Sequence, residues 1–352
     1  MRILVTGGCG FVGASVSVAL ASRNPEWELV AFDNLRRRGS ELNLPRLRLA
    51  GVEFVHGDVR EPGDLLGVPR IDALVECSAE PAVLAGFDSP DYVVPTNLFG
   101  AYNCLELARR DEALYVFLST SRVYPVDTLR QLDLVEAKTR FELATAQDVM
   151  GVSSEGISEA FPLDGARTLY GTTKLAGELL AVEYGDAFGL RTVVNRCGVI
   201  AGPWQMGKVD QGVFTHWVLS HYFGRPLSYI GYGGTGKQVR DLLFVDDLVD
   251  LIEGQLLRPD DWTGFNGNVG GGRECSLSLL EATNLCRELT GNEVPIDAVD
   301  EPRAGDVPLF VSDCRRLYER TNWRPRHSPR ETLEEIAAWV QENHRDLEAA
   351  LV

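Results

Sequence analysis

The 352-residue chain has no CxxC pair and no grouping of Cys and His at metal-ligand spacing. Its seven cysteines, Cys9, Cys77, Cys104, Cys197, Cys275, Cys286 and Cys314, are scattered and odd in number. That pattern excludes a zinc-finger or disulfide framework and points to reduced thiols, a cytoplasmic setting and no bound metal. Basic charge is also scarce, with 34 Lys and Arg against 51 Asp and Glu and a net charge of −17. A surface of that sign repels polyanions, so neither nucleic acid nor an anionic membrane is expected as a partner, and an anionic ligand must be held by local donors. No window reaches the roughly 20 uninterrupted apolar residues of a membrane span. The opening "MRILVTGGCGFVGASVSVALAS" imitates a signal peptide, but its four glycines suit a turn better than a secretory core. Repeats, low-complexity tracts and Pro/Ser linkers are absent as well.

What is present is alternation. The short apolar runs "RILVTG", "ELVAFD", "VEFVHGD", "DALVECSA", "LYVFLST" and "RTVVNRC" read as strands buried on both faces. Between them, residues 12–21, 97–109 and 172–184 carry apolar side chains at helical spacing. Repeated βα units of this kind predict an α/β fold, a Rossmann-type doubly wound parallel sheet. After about Arg196 the texture turns to Gly-, Pro- and Trp-containing connections. The expected division is a dinucleotide-binding domain over residues 1–195 and a smaller, mainly ligand-binding lobe over 196–352, interleaved with the sheet. Near the end, "SPRETLEEIAAWVQENH" places Ser328 as N-cap, Pro329 at the first helical position and Glu331 to complete a capping box.

The stretch "TGGCGFVG" follows the first strand directly. Gly8, Gly10 and Gly13 fit GxGxxG, and Gly7, Gly10 and Gly13 fit the wider GxxGxxG spacing. Missing side chains let a pyrophosphate approach the turn, and its charge is met by backbone N–H groups where Phe11 and Val12 open the helix. Asp33 ends the second strand 20 residues beyond Gly13, with Asn34 next to it, where a carboxylate accepts from ribose hydroxyls. A carboxylate there favours NAD over NADP, while the run Arg36 to Arg38 leaves open both an arginine holding a 2′-phosphate and a solvated loop. Asp58 in "HGDVR" either reaches the adenine amine, with Val59 packed on the ring, or is a turn residue. In "ECSAEPA", Ser78 and Ala79 are small enough for a ribose or nicotinamide to pass.

Downstream, "LYGTTKLAGE" puts Tyr170 and Lys174 four residues apart, on one helix face. A neighbouring ammonium stabilises phenolate and moves a tyrosine toward use as a general base. The Thr120 hydroxyl in "FLSTSRVYP" is placed to share the substrate proton.

With "TGGCGFVG", Asp33, "STSRVY" and "YGTTK", and with "GKQVRD", "FNGNVGG", "PRAGD" and "TNWRP" in the second half, the chain resembles the extended short-chain dehydrogenase/reductase family of nucleotide-sugar epimerases and dehydratases over nearly its whole length. "FDNLRRRG", "KVDQGVFTHWV" and the long segment between Tyr124 and Tyr170 look most like the branch that inverts C2 of a CDP-linked sugar. The resemblance implies an enzyme using NAD and a nucleotide-sugar. Tyr170 would be the base, Lys174 would also touch the nicotinamide ribose, and Thr120 would stand at the family's catalytic Ser or Thr. Asn97 would order the catalytic helix, Gln211 would line the sugar or nucleotide pocket, and Arg240 and Arg303 would clamp the diphosphate. Glu80 is either a substrate contact or a loop residue. Family dehydratases place Asp and Glu directly after the Thr, where this chain has Ser121 and Arg122, so epimerisation by hydride return is expected. Inversion at C4, net oxidoreduction or dehydration, and a catalytically silent NAD-binding protein are the alternatives. Glu76, Pro125 and Val199 depart from the family's usual His, Gly and Asn. A homodimer pairing the helix after Asn97 with the helix of Tyr170 is implied, although both faces could equally pack on their own sheet.

"GYGGTGKQVRD", residues 231–241, is close to a phosphate-gripping P-loop. A working P-loop needs a hydroxyl after its lysine and a helix beyond, whereas here Gln238 follows and the chain runs into "VRDLLFVDD". The expected reading is a turn that brings Arg240 inward.

Overall fold

The structure, a computed structural model, describes residues 1–207 and 211–351. Residues 208–210, which begin the "KVDQGVFTHWV" segment, and Val352 lie outside them. The strands used below are β1 (Arg2–Thr6), β2 (Glu28–Asp33), β3 (Glu53–His56), β4 (Ala73–Glu76), β5 (Leu114–Thr120), β6 (Thr192–Cys197), β7 (Val239–Phe244) and β8 (Phe265–Val269). The main helices are α1 (Phe11–Arg23), α2 (Gly100–Asp111), α3 (Leu169–Phe188), α4 (Val213–Tyr222), α5 (Leu279–Thr290) and α6 (Pro329–Glu342).

Seven strands form one parallel sheet in the order β8-β6-β5-β4-β1-β2-β3. All six apolar runs read from the sequence lie in it, and Rossmann-type winding is the fold. The runs β1, β4, β5 and β6 are buried almost throughout, as strands covered on both faces must be. β3 departs from that expectation. Among the described residues β2 is its one sheet neighbour, and Glu53 and His56 are exposed while Phe54 and Val55 are half-buried. An edge strand has less cover, which explains its polar ends. The chain goes from β1 outward to β3 and returns to place β4 on the other side of β1. Strand order therefore reverses between β1 and β4, and their carboxyl ends flank the crevice where open α/β sheets bind ligands.

The chain divides into two compact units. The first comprises residues 1–123, 169–196 and 248–267, and the second residues 124–168, 197–247 and 268–352. Residues 124–168, read from sequence with the dinucleotide domain, pack in the second unit. Residues 248–267, read with the second, pack in the first, where Arg23 pairs with Asp250 at 2.7 Å and Glu253 at 3.0 Å.

In the second unit β7 pairs in parallel with Val199–Ala201 and Leu309–Phe310 and antiparallel with Ser276–Ser278. Phe214, Trp217 and Val218 of α4 share a core with Leu333, Ile336 and Trp339 of α6. Ser328 and Glu331 form the expected capping box at α6, and Ser278 with Glu281 forms a second at α5.

Candidate active site

The glycine turn after β1 lies at the β1/β4 switch point. Gly7 has φ +63°, and a Cβ there would sit 2.9 Å from the backbone of Cys77 and Ser78 after β4. At Gly13 a Cβ would fall 2.2 Å from the Gly7 carbonyl oxygen. Side chains at these two positions would force the turn apart, so the glycines are a steric requirement of the turn. Gly10 is different. The single neighbour of a Cβ there would be the Gly7 carbonyl oxygen at 3.1 Å, which leaves open space in front of the turn. α1 starts after Gly10 with no side-chain cap and no acidic residue in its first turn. A helix start with uncapped N–H groups facing open space fits a pyrophosphate, with Phe11 and Val12 at its first positions.

Asp33 closes the turn from β2. Its carboxylate accepts from the N–H groups of Cys9 at 3.0 Å and Leu35 at 2.7 Å. Burial raises its pKa, and those N–H groups oppose the rise. Asn34 and Asp58 come together, since the Asn34 amide donates to Asp58 at 2.9 Å. Arg60 forks onto the same carboxylate at 2.9 and 2.6 Å and, as the largest cause, lowers its pKa to about 2. Asp58 thus does take the turn role open to it from sequence, accepting also from the Arg60 backbone N–H. Val59 is buried against Gly100, the first residue of α2. Arg36 of the basic run lies over the Tyr92 ring, 3.9 Å from its centroid. Ser78 shares a hydrogen bond with Thr6 at 3.1 Å across the switch point.

Thr120 ends β5, nearly buried, with its hydroxyl accepting from the Arg122 N–H at 3.2 Å. Tyr170 and Lys174 sit one turn apart near the start of α3, and that helix stops where Gly189 follows at φ +67°. Lys174 is 1% exposed and its ammonium lies 3.9 Å from the centroid of the Phe117 ring. Asn97 lies in a π-helical turn, Pro95–Phe99, ahead of α2. Its side chain accepts from the Glu80 N–H at 2.8 Å and donates to the Glu80 carbonyl at 3.1 Å and to the Thr173 hydroxyl at 3.2 Å. That hydroxyl donates to the Tyr170 carbonyl at 2.9 Å. One buried amide therefore ties the loop after β4 to the helix of Tyr170. The Glu80 carboxylate accepts from the Ala82 N–H at 3.1 Å, a local turn contact.

Two charged residues escaped the sequence reading. Glu178, one turn beyond Lys174, accepts from both arms of Arg196 on β6 at 2.7 to 3.1 Å and from the Ser119 hydroxyl on β5. Both side chains are buried, which makes this pair the clamp of α3 onto the sheet. An arginine inside the apolar run "TVVNRC" was the available signal.

In the second unit the P-loop lookalike is a turn. Tyr232–Gly234 forms one short helical turn, and the strand β7 follows where a P-loop would need a helix. Lys237 pairs with Glu136 at 2.8 Å. Arg240 donates to Asp306 at 2.6 Å and to the carbonyls of Val239 and Val307, both at 2.7 Å. Arg303 begins the turn that carries Asp306, whose N–H donates to its carbonyl at 3.1 Å. The two arginines are thus brought to one turn. Gln211 is half-buried just ahead of α4. Among the described residues no group of three His, Cys, Asp or Glu is arranged to hold a metal, and no helix is long and apolar enough to cross a membrane.

Comparison with known proteins places these features. The chain is 30% identical to the CDP-paratose 2-epimerase of Salmonella typhi over 97% of its own length and 99% of that protein's. It is 26% identical to the dTDP-glucose 4,6-dehydratase of Mycobacterium tuberculosis over 97% of this chain and 94% of that one. Its fold is similar to that of the UDP-glucuronic acid 4-epimerase of Bacillus cereus in complex with UDP-glucuronic acid and NAD, with a TM-score of 0.79 at 22% identity, covering 97% of this chain and 99% of that one. The family model for the NAD dependent epimerase/dehydratase family matches residues 3–270, which include the glycine turn, Thr120, Tyr170 and Lys174. The chain therefore belongs to the NAD dependent epimerase/dehydratase family, and it is an enzyme whose coenzyme is NAD.

Proposed function

We propose that the chain inverts one carbon of a nucleotide-activated hexose, C2 of a CDP-linked sugar, with no net redox change. The observation that carries this reading is the turn after Thr120. Ser121 and Arg122 stand there, so no carboxylate adjoins Thr120 in sequence to drive loss of water, while Thr120, Tyr170 and Lys174 remain together on the first unit. The identity to the 2-epimerase supports C2 as the carbon.

In this reading Tyr170 takes the proton of the sugar hydroxyl and Thr120 shares it by hydrogen bond. Lys174 holds the phenolate form by its charge and touches the nicotinamide ribose. NAD, held by the residues named below, would supply the hydride acceptor and donor that the inversion needs, so no other redox partner is required. Tyr170 restores the proton to the sugar oxygen once the carbon has been inverted. Gly7, Gly10, Phe11, Val12 and Gly13 hold the pyrophosphate, Asp33 the adenosine ribose, and Asn34, Asp58 and Val59 the adenine side. Ser78 and Ala79 flank the nicotinamide end, and Asn97 orders the helix of Tyr170. Glu80 and Gln211 contact the sugar. Arg240 and Arg303 hold the diphosphate, Arg240 with the donors left over from Asp306.

The test is incubation with CDP-, UDP-, GDP- and dTDP-hexoses in deuterated and ordinary buffer, followed by NMR of the product. Inversion at C2 of a CDP-sugar without solvent deuterium at that carbon is expected. Inversion at C4 would move the reaction to the other carbon. Deuterium at the inverted carbon, or stoichiometric growth of reduced-nicotinamide absorbance, would refute hydride return.

We further propose a cytoplasmic homodimer paired through α2 and α3. None of the seven cysteines is in a disulfide, in keeping with a reducing compartment. Tyr102 on α2 and Leu179, Val182 and Phe188 on α3 are 45% to 64% exposed, an apolar set costly to leave in water. Leu179→Glu is expected to convert the dimer to monomer in sedimentation equilibrium, and a native protein that sediments as a monomer would end this proposal.

A further inference from the structure

Beneath Lys174 lies a group that the mechanism above does not use. Glu76 ends β4 with a side chain wholly removed from solvent. One carboxylate oxygen accepts from the Tyr115 hydroxyl on β5, and the other, Oε1, has no hydrogen-bond partner. The titratable groups that face it from the packed elements are Tyr115 on β5, Cys104 on α2 and Lys174 on α3. Tyr115 and Cys104 are themselves fully buried, and burial raises the pKa of both far above the usual range, so they stay neutral. The partner left to balance a charge on Glu76 is the buried ammonium of Lys174.

A carboxylate with half of its acceptor capacity unused is poorly solvated by the protein and holds its proton more tightly than usual. Burial accordingly pushes Glu76 up to about 7, with the Lys174 ammonium and the Tyr115 hydroxyl opposing the rise. Its change of charge then falls near neutral pH, and Lys174 is an ion that feels it. We propose that Glu76 is a positioning residue that acts through Lys174, so that its charge state sets the pH range over which Tyr170 serves as the base. The inference rests on the roles given above to Tyr170 and Lys174.

The direction follows from charge. Neutral Glu76 does not oppose the field of Lys174, and that field favours the Tyr170 phenolate. Ionised Glu76 cancels part of the field and raises the pH at which Tyr170 loses its proton. The same negative charge helps Lys174 keep its own proton at high pH. Glu76→Gln is neutral at every pH and nearly isosteric, so both limbs of the activity profile move toward acid.

The experiment compares the pH dependence of kcat/KM for the NAD-loaded wild type, Glu76→Gln and Tyr115→Phe. A second readout needs no turnover: titration of the Tyr170 phenolate by ultraviolet difference spectroscopy, with Tyr170→Phe as the blank. Glu76→Gln should lower the acidic limb and the phenolate transition together by about one pH unit. Tyr115→Phe removes the hydroxyl that hydrogen-bonds to the carboxylate, keeps Glu76 protonated to higher pH, and should move both in the same direction. Wild-type positions for both limbs and for the phenolate transition in Glu76→Gln would overturn the proposal, because a side chain that merely fills space changes stability without moving a titration. Should Glu76→Gln fail to fold, Tyr115→Phe decides alone. Undiminished turnover in Tyr170→Phe would instead remove the mechanism on which the inference stands.

Discussion

Tyr170→Phe is expected to keep NAD bound and to lower kcat by roughly 10²–10⁴-fold, the usual worth of a positioned general base. The phenyl ring keeps the shape of the side chain and loses one oxygen. α3 is held in place by groups other than that oxygen, namely Asn97 through Thr173 and Arg196 through Glu178. Loss of activity therefore reports the missing proton acceptor and not a displaced helix. Equilibrium dialysis of NAD and single-turnover kinetics separate the two: unchanged coenzyme affinity with a collapsed chemical step supports the assignment. Unaltered turnover would sink it.

The second large effect is on stability. Arg196→Met is expected to cost about 3–5 kcal/mol, because it leaves the Glu178 carboxylate charged, buried and stripped of its main partner. Arg196 contacts both Glu178 oxygens, at 2.7 to 3.1 Å, and the side chains are 7% and 1% exposed. The Ser119 hydroxyl remains as a hydrogen-bond donor to that carboxylate. The paired change Glu178→Leu with Arg196→Met should recover much of the loss, since replacing both ions with apolar groups removes the desolvation cost along with the attraction. Urea denaturation of the three proteins tests this. A single variant within about 1 kcal/mol of wild type, the range of an exposed ion pair, would show that the pair is not the clamp described.

These two residues also mark where the sequence stops being legible. The apolar runs of the sheet and the capping box of Ser328 could be read because each is a local pattern imposed by backbone hydrogen bonding and burial. The glycine turn could be read for the same reason, since its constraint acts within a few residues. The Glu178 and Arg196 pair is 18 residues apart in the chain, and a glutamate at a helical position looks like a solvated one until the partner strand is in place. β3 was misread as covered on both faces because its composition is that of a strand, while edge position depends on what packs beside it. Arg240 was legible as an inward arginine, and its engagement with Asp306, 66 residues away, was not. The packing of residues 124–168 with the second unit was not legible either, because its two short hairpins, Leu134–Glu136 with Phe141–Leu143 and Val152–Ser153 with Gly156–Ile157, name no partner in their own sequence.

The interleaved units have a consequence for how the protein is made. The first unit draws on residues up to 267 of a 352-residue chain, including residues 265–267 of the edge strand β8 and the segment that pairs with Arg23. During synthesis the glycine turn and Tyr170 therefore emerge long before their own unit can close. A truncated product ending just after residue 197 would carry every residue assigned to the chemistry and still lack part of the unit that carries them. Such a fragment would expose the open side of β6, an unpaired strand edge prone to association. A ribosomal pause before β8 has emerged thus becomes a hazard for aggregation, and a pause after it has emerged does not leave that edge bare.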